Sequence, residues 1–473
     1  MKEYATDHLR NVALVSHGGA GKTSWAKAAL FATGATTRLG KIEEGNTVSD
    51  FEEEEIRRRL SLSTAILPLE YREETVNLLD TPGYTDFIGE AISALRVCES
   101  ALLMVDSVAG VEVGTEVVWD YCDRFRRPRL IVISKMDREN ASFARALDSV
   151  RHLSSQASFV PVQLPLGEKA EFTGVIDLFT MQARLADGKQ TGAIPAELQT
   201  AAEEARVAVV EAAAEGDDAL LEKYLGGETL TAPEIAVGFR AAVHSGRVVP
   251  VLATAGTANV GILPLLDTIL DLLPSPGEAP PEKVSGPSGE VELAASDAGP
   301  LAAYVWKTTA DPFVGKLTYL RVFSGSLTSD SRVWNHTKGA EERLGTLHIM
   351  RGKEQIPVKV LHAGDIGTVA KLAAAATGDT LGDKAHRGIV APPVYPNALF
   401  AVAVVPKTQA DSTKMGASLS RLAEEDPTLS WHQEGSTNQT ILQGMGDQHI
   451  DVAIRKAESK FQVGLHTEQP RVS

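Results

Sequence analysis

The run Ser16-His17-Gly18-Gly19-Ala20-Gly21-Lys22-Thr23 decides the fold of this chain, because it lies between an apolar stretch, residues 11–15, and a helical pattern that begins at Ser24. Small residues between a buried strand and a helix let successive backbone N–H groups surround a phosphate, and the helix N-terminus adds positive potential. Lys22 supplies a positive charge, and the Thr23 hydroxyl can bind Mg²⁺. The segment predicts a phosphate-binding loop, although the strict pattern has Gly where this chain has Ser16.

A second segment, Asp80-Thr81-Pro82-Gly83-Tyr84, follows the apolar residues 76–79. Asp80 therefore lies at the carboxyl end of a strand, where it can hold Mg²⁺ through water, and Gly83 can present its N–H to a γ-phosphate. Taken alone, the segment also suits an ordinary turn.

A third segment, Ser134-Lys135-Met136-Asp137, follows the apolar residues 130–133. The Asp137 carboxylate can accept two hydrogen bonds from guanine, which adenine cannot supply. Alone, Asp137 also suits a helix cap. The order of the three segments favours a guanine-nucleotide site, and the loop Thr254-Ala255-Gly256-Thr257 can offer a backbone N–H to the guanine O6.

Composition places the chain among large globular proteins, since 473 residues with 43% hydrophobic and 23% charged side chains suffice for about three domains. It has no run of eighteen apolar residues, and its two cysteines, Cys98 and Cys122, suit a reducing compartment. A net charge of -16 argues against binding nucleic acid by bulk attraction. We expect a cytoplasmic monomer with no membrane partner and no sequence-specific nucleic-acid partner.

Periodicity divides the chain into three units. Residues 1–275 alternate strands and helices, which predicts an α/β domain with a mostly parallel sheet, and residues 155–240 are predicted to be an inserted subdomain. Residues 276–300 are rich in Pro, Gly, Ser and Glu and are predicted to be a linker. Short strands over 301–392 predict a β-barrel, and 398–473 predict an α+β, ferredoxin-like domain.

Longer segments resemble one family across the chain: Gln163-Leu164-Pro165-Leu166-Gly167, Ala310-Asp311-Pro312-Phe313-Val314-Gly315, and Gly444-Met445-Gly446-Asp447-Gln448-His449. They resemble elongation factor G, and more closely its paralogous elongation factor G-like group. The resemblance implies a translational GTPase of protein biosynthesis that binds GTP and GDP with Mg²⁺ and has the ribosome as partner.

The resemblance also implies further domains after the third unit. In the family a fourth and a fifth domain come next, and Pro470-Arg471-Val472-Ser473 resembles the start of the fourth. We therefore expect a fragment or shortened form without domains IV and V; a naturally short GTPase is the alternative.

By alignment through Asp50, Phe51 and Arg58, the resemblance puts Ser61 where the family's first switch has a Thr that binds Mg²⁺ and the γ-phosphate. The hydroxyl is kept. The alternative is that Ser61 is only a polar position of an alternating strand over residues 60–63.

Several departures from the family pattern fall where hydrolysis is controlled. Tyr84 replaces the His that positions the attacking water, and a phenol, unlike an imidazole, cannot become a cation at neutral pH. Gly18 and Gly19 replace an apolar residue and an Asp implicated in holding a monovalent cation. Ser134 replaces an Asn that bridges base and phosphate loop, and Ala255 replaces a Ser. These changes predict intact GTP binding, weaker affinity, and slow or differently triggered hydrolysis.

Two functions follow from these residues. One is a ribosome-stimulated GTPase with an atypical catalytic position at Tyr84; the other is a nucleotide-gated ribosome-binding module with little or no turnover. An ATP-dependent P-loop kinase is disfavoured by Asp137 and the 254–257 loop.

Overall fold

The strand that leads into the phosphate loop lies inside a seven-stranded sheet. The computed structural model describes residues 1–37 and 47–472, and Ser473, the last residue of the predicted junction, lies outside them. The strands of this sheet are β1 (Leu9–Ser16), β2 (Ala65–Tyr71), β3 (Glu74–Asp80), β4 (Ser100–Asp106), β5 (Arg129–Ser134), β6 (Ser158–Pro161) and β11 (Val248–Ala253). Their order is β2-β3-β1-β4-β5-β11-β6.

Neighbouring strands of this sheet are parallel, except that β2 and β3 form an antiparallel pair. The register pairs Leu14 of β1 with Asp80 of β3, and Ser16 of β1 with Met104 of β4. Parallel strands end at one edge of a sheet, so the loops after β1, β3, β5 and β11 meet there. These loops contain the predicted nucleotide segments.

Helices cover both faces of the sheet, as its alternating buried residues require. These helices are α1 (Lys22–Ala32), α3 (Ile88–Val97), α4 (Val113–Arg124), α5 (Phe143–Val150) and α9 (Ile262–Leu272), whereas the short α2 (Glu53–Arg58) adds no residue to either core of the sheet. Val12 and Leu14 of β1 belong to the core shared with α1 and α9, whereas Ala13 and Val15 belong to the core shared with α3, α4 and α5. The predicted α/β class is confirmed.

The insertion is joined closely to the parent sheet. Strand β6, which lies within the predicted insertion, pairs with β11 and is the edge strand of the seven-stranded sheet. The other strands, β7 (Gln163–Leu166), β8 (Gly174–Asp177), β9 (Gln182–Leu185) and β10 (Gln190–Gly192), form a separate antiparallel sheet. Three helices follow: α6 (Ala196–Glu215), α7 (Asp218–Leu225) and α8 (Ala232–His244).

The segment 276–300, which composition predicts to be a linker, contains a β-hairpin. Strands β12 (Glu282–Gly286) and β13 (Gly289–Leu293) pair with each other, and β12 also pairs with β24 (Ile389–Val390). Val284 lies opposite Val390, and both are buried. Composition cannot reveal a partner strand that is distant in the chain, so the apolar position at Val284 gives no local sign of its role.

The second unit is an antiparallel sheet around one apolar core. Its strands are β14 (Ala302–Asp311), β15 (Gly315–Ser324), β17 (Arg332–Asn335), β18 (Ala340–Arg343), β19 (Leu347–Arg351), β20 (Glu354–Val358), β22 (Ile366–Ala370) and β23 (Thr380–Gly382), with a short pair, β16 (Leu327–Thr328) and β21 (Val360–Leu361). Apolar residues from the long strands and from the short pair share one core cluster, as the β-rich prediction requires.

The third unit has the predicted α+β, ferredoxin-like topology. Its elements are β25 (Phe400–Pro406), α10 (Gln409–Glu425), β26 (Ser430–Gln433), β27 (Thr440–Gly444), α11 (Asp447–Phe461) and β28 (Leu465–Glu468). The sheet order is β26-β27-β25-β28, and all pairs are antiparallel.

A buried polar network joins the first and second units. The Asn11 amide donates to Glu99 at 2.9 Å, and the Asn77 amide donates to Asn11 at 2.9 Å and to Asp365 at 3.1 Å. Arg321 of β15 donates to Glu99 at 2.6 Å, with the two side chains 3% and 7% exposed. The second unit, hereafter the barrel, is therefore fixed to the seven-stranded sheet of the first unit by charged and amide groups from both units.

Both cysteines are buried and unpaired, Cys98 directly after α3 and Cys122 within α4. Of the helices in the described ranges, none has the length and apolar content needed to cross a bilayer.

Candidate nucleotide-binding site

The loop between β1 and α1 has the backbone form of a phosphate cradle. Gly19 (φ +79°) and Gly21 (φ +97°) adopt the left-handed region, which only glycine enters without steric cost. Lys22 and Thr23 begin α1, and the Lys22 amine donates a 2.5 Å hydrogen bond to the Ser16 hydroxyl. The first and last parts of the predicted loop are thereby held together.

Lys22 and Asp80 are charged groups buried at the same point. Burial lowers the pKa of Lys22 to about 8, against the opposing effect of Asp80 and Asp50. Burial likewise raises the pKa of Asp80 to about 7; Lys22 opposes this shift and Asp50 adds to it. Perturbed groups gathered in a pocket are typical of ligand sites. A bound polyphosphate would compensate the positive charge of Lys22, and a divalent cation would compensate the negative charge of Asp80.

Four side-chain oxygens form a cluster next to Lys22. Thr23 Oγ1 donates to Asp80 Oδ2 at 2.8 Å, Ser61 Oγ donates to Asp50 Oδ1 at 2.6 Å, and the two hydroxyl oxygens are 3.4 Å apart. Asp80 Oδ1 and Asp50 Oδ2 are buried and have no hydrogen-bond partner within residues 1–37 and 47–472. Carboxylate and hydroxyl oxygens with unused acceptor capacity suit Mg²⁺.

This cluster contains the three residues predicted to hold metal and one that the prediction missed. Thr23, Ser61 and Asp80 lie together, and residues 60–63 are not part of a strand, so the alternative assignment of Ser61 to an alternating strand does not apply. Asp50 is the additional member, and burial raises its pKa. The sequence alone does not distinguish Asp50 from the acidic residues that follow at 52–55, because the role of Asp50 depends on tertiary packing.

Residues 81–84 lie against the phosphate loop. A Cβ placed on Gly83 would be 2.7 Å from the Gly18 Cα and 3.0 Å from Lys22 Nζ, so the Gly83 backbone approaches both closely. A Cβ placed on Gly18 would be 3.2–3.3 Å from ring atoms of Tyr84. The Tyr84 side chain is 43% exposed and lies at the mouth of the pocket.

Ser134 and Lys135 contact the phosphate loop from the other side. Ser134 Oγ donates to the Ala20 carbonyl at 2.5 Å, and the Lys135 amine donates to the Gly19 carbonyl and lies 3.5 Å from Asp106. Ser134 therefore connects to the phosphate loop through its hydroxyl, although it lacks the amide of the family's Asn.

The predicted base-binding residues lie near one another. Asp137 Oδ2 accepts from Thr257 Oγ1 at 3.3 Å, whereas Asp137 Oδ1 is buried without a partner in the described part of the chain. The Ala255 N–H donates to the Val260 carbonyl at 3.0 Å, so it is already in use. The Gly256 N–H makes no hydrogen bond to any described residue.

Two residues of the predicted loop, His17 and Ser24, contact other segments of the first unit. His17 Nδ1 accepts from the Gly114 N–H at 3.0 Å, and His17 Nε2 is 3.8 Å from Glu112, which connects the loop to the start of α4. Ser24 contributes its backbone, since a Cβ on Gly256 would lie 2.8 Å from the Ser24 carbonyl carbon.

These segments enclose a pocket of about 230 Å³. Besides predicted site residues, its lining includes eight residues that the prediction does not assign to nucleotide, catalysis or metal, namely Trp25, Asp50, Arg59, Leu60, Thr81, Arg138, Thr254 and Thr257.

The segments around the pocket also contact the third unit. Arg58 forms an ion pair with Asp451 of α11. The Asp86 carboxylate accepts from the His449 N–H at 3.2 Å, and a Cβ on Gly446 would lie 2.5–2.7 Å from that carboxylate. Residues on both sides of the pocket thus touch the same helix and the turn before it.

Comparison with known proteins agrees with this architecture. Family models match in order: the elongation factor Tu GTP binding domain at residues 7–275, elongation factor G domain 2 at 300–384, and elongation factor G domain III at 395–469. A solved structure of a protein from Thermus thermophilus is 33% identical, with a TM-score of 0.88 over 98% of this chain and 68% of that chain. The chain therefore belongs to the elongation factor G-like translational GTPases, GTP-binding proteins that act in protein synthesis.

Proposed function

We propose that the chain binds GTP and GDP, with Mg²⁺, in the pocket at the edge of the seven-stranded sheet. In this proposal residues 16–24 surround the phosphates, and the Lys22 amine pairs with their charge. The observation that carries the proposal is the cluster of buried charges at Lys22, Asp80 and Asp50, because a magnesium nucleotide would compensate them.

Thr23, Ser61 and Asp80 are the proposed holders of the metal, with Asp50 beside them. When bound, Mg²⁺ offsets negative charge on the phosphate oxygens. Within the described ranges no group of three or more His, Cys, Asp and Glu side chains is arranged for a metal. Magnesium commonly binds through one or two carboxylates plus substrate phosphates, which is consistent with this donor set.

Guanine recognition is assigned to Asp137 and Gly256. The unpaired Asp137 Oδ1 supports an acceptor role toward the base, and the unused Gly256 N–H supports a donor role toward O6, while Ala255 contributes to the loop's shape. Ser134 maintains the phosphate loop but lacks the amide of an Asn. We therefore infer preserved preference for guanine over adenine, with weaker affinity than an Asn at that position would give.

We infer that hydrolysis is slow or needs a different trigger. Tyr84 stands where elongation factor G has the His that orients water, and a phenol offers a hydrogen bond but no cation at neutral pH. Gly83 is proposed to offer its N–H to the γ-phosphate. With Gly19 in place of the family's Asp, the loop also lacks that carboxylate for a charge-offsetting monovalent cation.

The ribosome is the proposed partner, by family membership. A nucleotide-gated ribosome-binding module with little turnover is the second candidate, and the contacts of Arg58 and Asp86 with the third unit favour it. Segments that contact both nucleotide and a neighbouring unit can couple the γ-phosphate to the arrangement of the units.

Single-turnover GTP hydrolysis, measured with and without ribosomes beside nucleotide affinity by fluorescence, tests both candidates. Strong ribosome stimulation supports the GTPase. Tight GTP binding with flat, ribosome-insensitive hydrolysis leaves the binding module, and failure to bind guanine nucleotides contradicts both.

The Tyr84→His variant tests the catalytic position itself. If this residue limits hydrolysis, the ribosome-stimulated rate should rise by about tenfold or more, since a positioned general acid or base contributes roughly 10²–10⁴-fold. Tyr84→Phe is the matched control, because it keeps the ring and removes only the hydroxyl. An unchanged rate in Tyr84→His would assign the limitation to Gly18 and Gly19, or to the need for the family's fourth and fifth domains.

A further inference from the structure

Gly18 and Tyr84 are in direct contact across the mouth of the pocket. The ring atoms nearest to a Cβ placed on Gly18 are Cζ at 3.2 Å and both Cε atoms at 3.3 Å. These nearly equal distances, with the hydroxyl oxygen farther away, put the Cβ position over the face of the ring. Gly18 has no left-handed φ, so the backbone does not require glycine there, but any Cβ would press on the ring and displace it.

The backbone next to the ring is equally close to the phosphate loop. A Cβ on Gly83 would lie 2.7 Å from the Gly18 Cα, 2.9 Å from the Gly18 nitrogen and 3.0 Å from Lys22 Nζ. Lys22 is the residue that reaches the β- and γ-phosphates in a loop of this kind. Tyr84 therefore covers the end of the pocket at which GTP has one phosphate more than GDP.

We propose that Gly18 is a positioning residue for Tyr84, and that the two form a seat and a cover that retain GTP relative to GDP. This inference rests on the proposed nucleotide site. In the family, an apolar side chain of the phosphate loop occupies this space. Here Gly18 leaves the space open, and the Tyr84 ring, which comes from the loop after β3, fills it. A side chain at position 18 displaces the ring toward solvent, and the γ-phosphate end loses its cover.

Dissociation of nucleotides tests the pair without depending on hydrolysis. Fluorescent GDP and a fluorescent non-hydrolysable GTP analogue are chased from the Gly18→Val variant, made in both the Tyr84 and the Tyr84→Ala backgrounds. With Tyr84 present, we expect the GTP-analogue dissociation rate to rise by about tenfold and the GDP rate to stay within about twofold. In the Tyr84→Ala background, Gly18→Val should change neither rate further, since the cover is already gone.

Two further variants keep the result interpretable. Gly18→Ala demands only a small shift of the ring and should give a smaller rise in the same direction; Gly345→Val adds the same bulk where no atom lies within 4 Å and should leave both rates unchanged. Tyr84→Ala alone leaves the phosphate loop intact and should itself speed release of the GTP analogue.

Equal acceleration of GDP and GTP-analogue release by Gly18→Val would overturn the proposal, as would an effect that persists in the Tyr84→Ala background. Fast hydrolysis by the unmodified protein would contradict the proposed slow turnover but leave these dissociation rates, and this inference, unaffected.

Discussion

His449 illustrates how single hydrogen bonds fix one residue in the third unit. Its Nδ1 accepts from the Met445 N–H at 2.9 Å, and its Nε2 donates to Asp426 at 2.6 Å. Burial opposes ionisation of Asp426, but hydrogen bonds from His449 and Thr428 outweigh burial and hold the pKa of the carboxyl below its ordinary value. The charged form of Asp426 therefore stabilises the fold.

The sign of the pH dependence follows from that lowered pKa. The stabilisation is present above the unfolded pKa of about 3.9 and is lost as pH falls through the folded pKa. Asp426→Asn should lower the free energy of unfolding by about 1–3 kcal/mol at neutral pH, measured in urea, and the difference should shrink in acid. Asp148→Asn, at an exposed position on α5, is the control. A pH-independent loss would contradict the role of the charge.

At Asp80 burial outweighs the hydrogen bonds and the attraction of Lys22, because one carboxylate oxygen has no hydrogen-bond partner among the described residues. Burial raises the pKa of Asp80 to about 7, so keeping its carboxylate ionised costs folding free energy at neutral pH, and a neutral amide removes that cost. Asp80→Asn should therefore raise the melting temperature of the nucleotide-free protein while greatly reducing the additional stabilisation that magnesium and GDP give the unchanged chain. Thermal melts with and without magnesium and GDP measure both effects. Unchanged ligand stabilisation would remove Asp80 from the proposed metal site.

At the scale of elements, the turn before α11 can contact Asp86 only because position 446 is a glycine. Gly446 has extended backbone that any residue can adopt, but a Cβ there would overlap the Asp86 carboxylate. Gly446→Val should separate the third unit from the 85–87 turn and increase amide hydrogen exchange in α11 by about tenfold. Gly435→Val adds the same side chain in open space. Equal exchange in the two variants would contradict this expectation.

The elements that sequence could predict are those with a local signal. The strand–loop–helix around Lys22 and the strand ends at Asp80 and Ser134 follow from apolar runs and turn residues, which neighbours in the chain determine. The contact of Gly18 with Tyr84 joins positions far apart in the chain, so neither residue carries a local mark of it. The β12–β13 hairpin escapes sequence-based prediction for the same reason, since its partner strand β24 is distant.

At the scale of the whole molecule, the buried pair of Arg321 and Glu99 carries much of the connection between barrel and sheet. Arg321→Met leaves the buried Glu99 carboxylate with an uncompensated charge. The expected loss in unfolding free energy is about 3–5 kcal/mol, measured by denaturant titration. Arg332→Met, which removes an exposed ion pair with Glu341, should cost less than about 1 kcal/mol. Similar costs for both variants would contradict the importance of burial.

That same network limits how this protein can be recombined. Asn11, Asn77 and Glu99 belong to the first unit, whereas Arg321 and Asp365 belong to the second, and either group lacks hydrogen-bond partners without the other. A chimera with the barrel of another protein would bury these polar groups without partners at the interface, unless all five residues are kept together. These contacts therefore make the first and second units one unit for exchange between proteins.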